Sequence, residues 1–137
     1  DDVIAIEGFG FASQQAIQLG GIGWGIRIAL FRRGIAYTEV SPMSLKKFCG
    51  ATGNKGPDGK AIKADKIEVA KQVLKRWGFE SGSDNVTDAF VLAQIARTIE
   101  LCNEERKFEF SVPHFQMEVI ESLLNPKEKK PKRKRKA

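Results

Sequence analysis

Apolar residues along this chain fall into short continuous runs and longer stretches spaced three or four apart. Val3-Ile4-Ala5-Ile6 is a continuous, β-branched run that stops at Glu7, the pattern of a strand covered on both faces. Ile35-Ala36-Tyr37-Thr38-Glu39-Val40 is a second run, closed by Ser41-Pro42. Between them, Ala12–Arg33 reads as a long helix whose buried stripe is Ile17, Trp24, Ile28 and Phe31. Gly20, Gly21, Gly23 and Gly25 interrupt it. Each glycine costs about 1 kcal/mol relative to alanine in a helix interior, so four of them imply close backbone packing against another helix or subunit. Strand, helix, strand predicts a βαβ unit with parallel strands.

Beyond the second strand, Pro42–Phe48 predicts one or two helical turns, and Gly50–Lys60 is too rich in Gly and Pro to be regular. Lys63–Trp77 predicts an amphipathic helix with Ile67, Ala70, Val73, Leu74 and Trp77 facing inward. After the turn-rich Gly78–Gly82, a further helix opens at Ser83-Asp84, with Ala89, Leu92, Ala93, Ala96 and Ile99 as its stripe. Lys107–Phe110 reads as a short extended piece, and Val112-Pro113 leads into a last helix, His114–Leu124. The expected class is α/β, a sheet flanked by helices.

With 137 residues the chain is one domain at most, long enough for a genuine core. It contains no apolar run of the roughly 18 residues that a spanning helix needs, so the expectation is a soluble, cytoplasmic protein without membrane contact. Cys49 and Cys102 have no second Cys or His at ligand spacing, so they read as buried thiols rather than a zinc site. His114, the only histidine, follows Pro113 near a helix start, and a catalytic or ligand role is not expected of it.

The net charge of +6 resides in the tail: from Pro126 onward eight Lys or Arg stand against Glu128 alone, which leaves the body near neutral at −1. That tail has almost nothing to bury and is expected to be disordered. It can contact phosphates without sequence preference, and nuclear import signals share its composition.

The chemistry-bearing residues lie at two places. Asp84, Asn85 and Asp88 crowd one helix start, and Asp88 shares a face with the other two. They can serve as caps and as first-turn acids that suit the macrodipole, or hold a hard divalent cation. Glu7 ends a buried strand, where α/β proteins place ligand groups. The loop after the second strand and its borders carry Lys46, Lys47, Lys55, Lys60, Lys63 and Lys66 against Asp58 and Asp65. Such a basic loop beside carboxylates suits a phosphodiester held near metal, and equally a solvated loop.

This order of elements, with Val3-Ile4-Ala5-Ile6-Glu7-Gly8-Phe9, Glu39-Val40-Ser41-Pro42-x-x-Leu45-Lys46-Lys47-Phe48, Lys63-Ala64-Asp65-Lys66-x-x-Val69 and Asp84-Asn85-x-x-Asp88-Ala89-Phe90-x-Leu92-Ala93, resembles the RuvC-type Holliday-junction resolvases. These belong to the RNase H-like superfamily, and the short phage-type members are the most similar. The resemblance spans Val3 to about Ile99. It implies an RNase H-like mixed sheet flanked by helices over 1–125, and a Mg²⁺-dependent homodimeric endonuclease that cuts branched DNA with two metal ions, Mn²⁺ being able to substitute. Glu7 matches the family's central metal acid and Asp88 the acid ending its last motif. Asn85 stands where the family usually has Asp or His, so Asp84 is the candidate for the second charge. Lys66 and Lys55 match basic positions near the DNA backbone, and Phe9 or Phe11 could stack on an unpaired base at the crossover. Ala12–Arg33 is the candidate dimer helix.

The family also carries an Asp on an earlier strand, whereas this chain begins six residues before Glu7. Asp2 cannot replace it, because at about 3.3 Å per residue it lies roughly 16 Å from Glu7 along the same strand. The expectation is that these residues are the C-terminal part of a longer protein, and that alone they do not assemble the full two-metal site. The rival readings are a DNA-binding module without chemistry and another RNase H-like nuclease, such as one acting on RNA–DNA hybrids. Convergence of Glu7 on Asp88 separates the first rival from a nuclease, since two close carboxylates without a cation repel.

Overall fold

The two apolar runs pair. In the computed structural model, which describes residues 2–8, 16–51, 53, 65–103 and 111–126, β1 (Ala5–Glu7) lies parallel to β2 (Thr38–Val40). Ala5 stands opposite Thr38, Ile6 opposite Glu39 and Glu7 opposite Val40. Bonds from Thr38 N to Ile4 O and from Gly8 N to Val40 O, each 2.8 Å, extend the ladder. The connection is α1 (Ala16–Arg32), and the helices α2 (Pro42–Cys49), α3 (Lys66–Trp77), α4 (Asp84–Asn103) and α5 (His114–Leu124) follow. The described residues thus form a mixed α/β architecture of five helices and one small parallel sheet. No helix among them is long and apolar enough to cross a membrane.

Local chemistry sets the boundaries. β2 is shorter than its apolar run because Ile35 N bonds Leu30 O and finishes α1 instead of entering the sheet. Ser41 caps α2, its hydroxyl accepting from Ser44 N at 3.1 Å, and Pro42 fits the first helical position, where no N–H is needed. Gly50, at φ 86°, ends it. α3 begins three residues later than its amphipathic pattern suggests because Asp65 takes the cap position and accepts from Glu68 N at 2.8 Å.

The core is built by β2 and α2 to α5. Val40, Leu45, Phe48, Val73, Val91, Ile95 and Ile120 are almost wholly excluded from water. Phe48 stacks on Trp77, which meets Phe90 edge-on, and Phe90 stacks on Phe79. Gln116 donates from Nε2 to Phe48 O at 2.9 Å and fixes α5 to the end of α2.

Three predicted stripes require correction. Trp24, Ile28 and Phe31 are exposed, Phe31 by 83%, because the one buried side chain described on α1 is Arg27 and the apolar face points away from the core; the Ile17 side chain lies outside the described set. On α3 the inner residues are Val69 and Val73, while Ile67 and Leu74 face solvent. On α4 the inner face is Thr87, Val91, Ile95, Thr98 and Ile99, and Ala89 and Ala93 are exposed. Apolar and polar residues are mixed around α4 with no single dominant stripe, so periodicity leaves its rotation open. Cys49 is buried and Cys102 half-buried. The expected extended piece at 107–110 and the basic tail from 127 lie outside the described residues.

Candidate functional site

β1 delivers Glu7 to the end of the parallel sheet, and α4, packed against β1, delivers Asp88 from its second turn. Asp88 is half-buried, while Glu7 is exposed at the strand end and only partly desolvated. Burial pushes the Glu7 carboxyl above its ordinary value, and the negative charge of Asp88 raises it further. Asp88 is raised mainly by burial; Lys66 and Lys46 oppose the shift, and Asp84 adds to it. Among the described residues neither carboxylate takes part in a hydrogen bond or an ion pair. The charge of Asp88 is thus felt at Glu7 across distant parts of the chain.

The surrounding candidates divide clearly. Asp84 does not cap α4; its carboxylate pairs with Lys66 Nζ at 2.8 Å, both groups being exposed. Ser83 offers its carbonyl, not its hydroxyl, to the helix start, accepting from Thr87 N and Oγ1. Asn85 is exposed on the first turn. Lys46 lies near enough to Asp88 to favour its ionised form, whereas Lys47 turns away to Glu118 at 2.8 Å. His114 is 89% exposed beside that same Glu118. Phe9, Phe11, Lys55 and Lys63 lie outside the described residues.

Chemically, the set consists of hard oxygen donors ringed by lysines. No three His, Cys, Asp or Glu side chains among the described residues form a metal-holding group. Mg²⁺ accepts one or two protein carboxylates and fills its octahedron with water and substrate phosphate, so Glu7 and Asp88 fit one such ion. Asp84 would be available to a second only after leaving Lys66. A cleft of about 190 Å³ between Arg76, Trp77, Arg97 and Gln116 is lined by none of these residues.

One residue escaped the sequence reading. Arg27 is 5% exposed and bonds Glu39 Oε1 through Nε at 2.6 Å, Gly23 O through Nη1 at 3.1 Å and Glu7 O through Nη2 at 3.2 Å. Its signal was a cation in the middle of an apolar, glycine-rich helix, well before the basic last turn at Arg32, and a following strand that carries one acid, Glu39. Comparison of the chain with protein-family models, curated proteins and solved structures finds no match.

Proposed function

We propose that this chain is a metal-dependent, structure-selective DNA endonuclease of the RNase H-like kind, acting on four-way junctions, with Glu7 and Asp88 as the acids that hold Mg²⁺ or Mn²⁺. The observation that carries this reading is the pair itself: an exposed carboxylate on β1 and a half-buried one on α4, both raised, with no hydrogen-bond or ion-pair partner among the described residues. Acids raised by desolvation and by like charge, without a structural partner, are a cost that a bound cation removes, and perturbed acids concentrate at functional sites.

When bound, the ion would lower the pKa of a water and stabilise charge on the scissile phosphate. The chain's own residues supply the rest. Glu7 and Asp88 offer oxygen donors at fixed positions on a strand end and a helix. Lys46 and Lys66 place positive charge beside them, suited to the phosphates that flank a cut. α1 turns Ile22, Trp24, Ile28 and Phe31 to solvent, an apolar surface larger than isolated surface residues present, which supports a second copy packed on this helix.

The test is cleavage of a synthetic four-way junction, with linear duplex as control, in Mg²⁺ and then Mn²⁺, by the chain alone and joined to any segment encoded upstream. Cleavage of the junction in preference to duplex, lost by 10²-fold or more in Glu7→Gln and Asp88→Asn (about 2.7 kcal/mol of transition-state stabilisation), is expected. Junction binding without cleavage by any form of the protein would leave a non-catalytic binding module.

A further inference from the structure

Arg27 is the only ionised side chain among the described residues that is buried. A guanidinium leaves water at considerable cost unless its donors are satisfied, and here they join three elements. Nε meets Glu39 on β2, Nη1 meets Gly23 O on its own helix, Nη2 meets Glu7 O at the end of β1, and the ring of Tyr37 lies 5.8 Å from the guanidinium carbon.

The Glu7 contact has a particular geometry. Ile4 O and Gly8 N both bond to β2. Alternate residues of a strand direct their backbone groups to the same neighbour, so Glu7 O points to the opposite edge of β1. No strand among the described residues pairs with that edge. Arg27 takes the place of a neighbouring strand at this one carbonyl. A fixed carbonyl fixes the peptide plane that follows Glu7, and with it the direction in which the side chain leaves the backbone.

We propose that Arg27 is a positioning residue that aims the Glu7 carboxylate at Asp88 by holding the Glu7 carbonyl from helix α1. The inference rests on the reading of Glu7 and Asp88 as metal ligands. The guanidinium charge is matched by Glu39, so Arg27 orients Glu7 without serving as its counter-ion. Only a planar fork reaches the Glu39 carboxylate and the Glu7 carbonyl at once; the single ammonium of lysine, a point charge, can satisfy the first but not both.

The experiment is Mn²⁺ binding to the full chain, followed by titration calorimetry, for wild type, Arg27→Lys and Arg27→Met. Residues that orient metal ligands from behind typically govern affinity by 10- to 100-fold, so a weakening of about that size is expected in both variants, with Arg27→Lys still folded because it keeps the ion pair to Glu39. Wild-type affinity in a folded Arg27→Lys would overturn the inference. Absence of Mn²⁺ binding by wild type would instead overturn the reading beneath it. Should neither variant fold, Mg²⁺ titration of the wild type followed by NMR decides. Guanidinium resonances of Arg27 that shift in step with Glu7 support the coupling, and Arg27 resonances that stay still while Glu7 shifts refute it.

Discussion

The negative charge of Asp88 disfavours ionisation of Glu7, although 80 positions separate them in the chain. A carboxyl raised in the folded state holds a proton that the unfolded chain has already released, so the fold binds more protons in that range. Stability then falls as pH rises from about 4, where unfolded acids titrate, through the higher folded value, and stays reduced above it. Glu7→Gln removes the penalty. It should stabilise the protein slightly at pH 7, by less than about 1 kcal/mol because solvent screens an exposed carboxylate, and the gain should shrink towards pH 4. Thermal unfolding at both pH values checks this, and an equal gain at both would contradict it. In the same experiment, Mn²⁺ at about 100 times its dissociation constant should stabilise wild type by roughly 2.7 kcal/mol and Glu7→Gln far less.

Lys66 and Asp84 form an ion pair in which both side chains are exposed, and such pairs contribute little to stability. Lys66→Met should therefore leave the denaturant midpoint of unfolding essentially unchanged. If Lys66 meets a phosphate, the same change should weaken junction binding and reduce the slope of log affinity against log salt by about 1. Binding titrations at several salt concentrations separate the two effects.

The sequence made the βαβ order, the parallel pairing, the start of α2 and the end of α3 legible because local signals mark them: Ser41-Pro42 opens α2 and Gly78 closes α3, whereas the cap at Asp65 moved the start of α3. Glu7 was readable as a strand-end acid for the same reason. Helix rotation was not readable. Val91 and Leu92 are neighbours of similar hydrophobicity, and only packing against β1 and α2 buries the first completely. Arg27 stayed hidden because a cation in an apolar helix acquires meaning only when Glu39 and the Glu7 carbonyl come within reach. The pairing of Asp84 with Lys66 crosses from α4 to α3, a distance that no spacing rule covers.

Two isoleucines test the corrected faces. Ile95 is fully excluded from solvent, while Ile67 is 65% exposed. Ile95→Ala should cost about 2–5 kcal/mol, a lost side chain plus a cavity, and Ile67→Ala less than about 0.5 kcal/mol. Urea unfolding of both variants gives the comparison; similar losses would mean that the inner face of α3 is the one suggested by its amphipathic pattern.

Gly50 and Gly78 both close helices with positive φ, at 86° and 66°, and each donates its N–H to a carbonyl in the last turn. Replacing either by alanine imposes the left-handed penalty of about 1–2 kcal/mol. Beyond that their surroundings differ. A Cβ at Gly78 meets nothing within 4 Å, whereas one at Gly50 stands 3.0 Å from Arg76 Nη2 and 3.8 Å from the Phe115 ring. Arg76 is tethered, donating from Nε to Cys49 O at 3.3 Å and lying over the Phe115 ring at 4.8 Å, so it cannot swing away without giving up those contacts. Gly50→Ala should therefore be the more destabilising of the two by roughly the worth of one hydrogen bond, about 1 kcal/mol. A double variant with Arg76→Ala isolates the cause, since the excess of Gly50→Ala over Gly78→Ala should vanish once the guanidinium is gone.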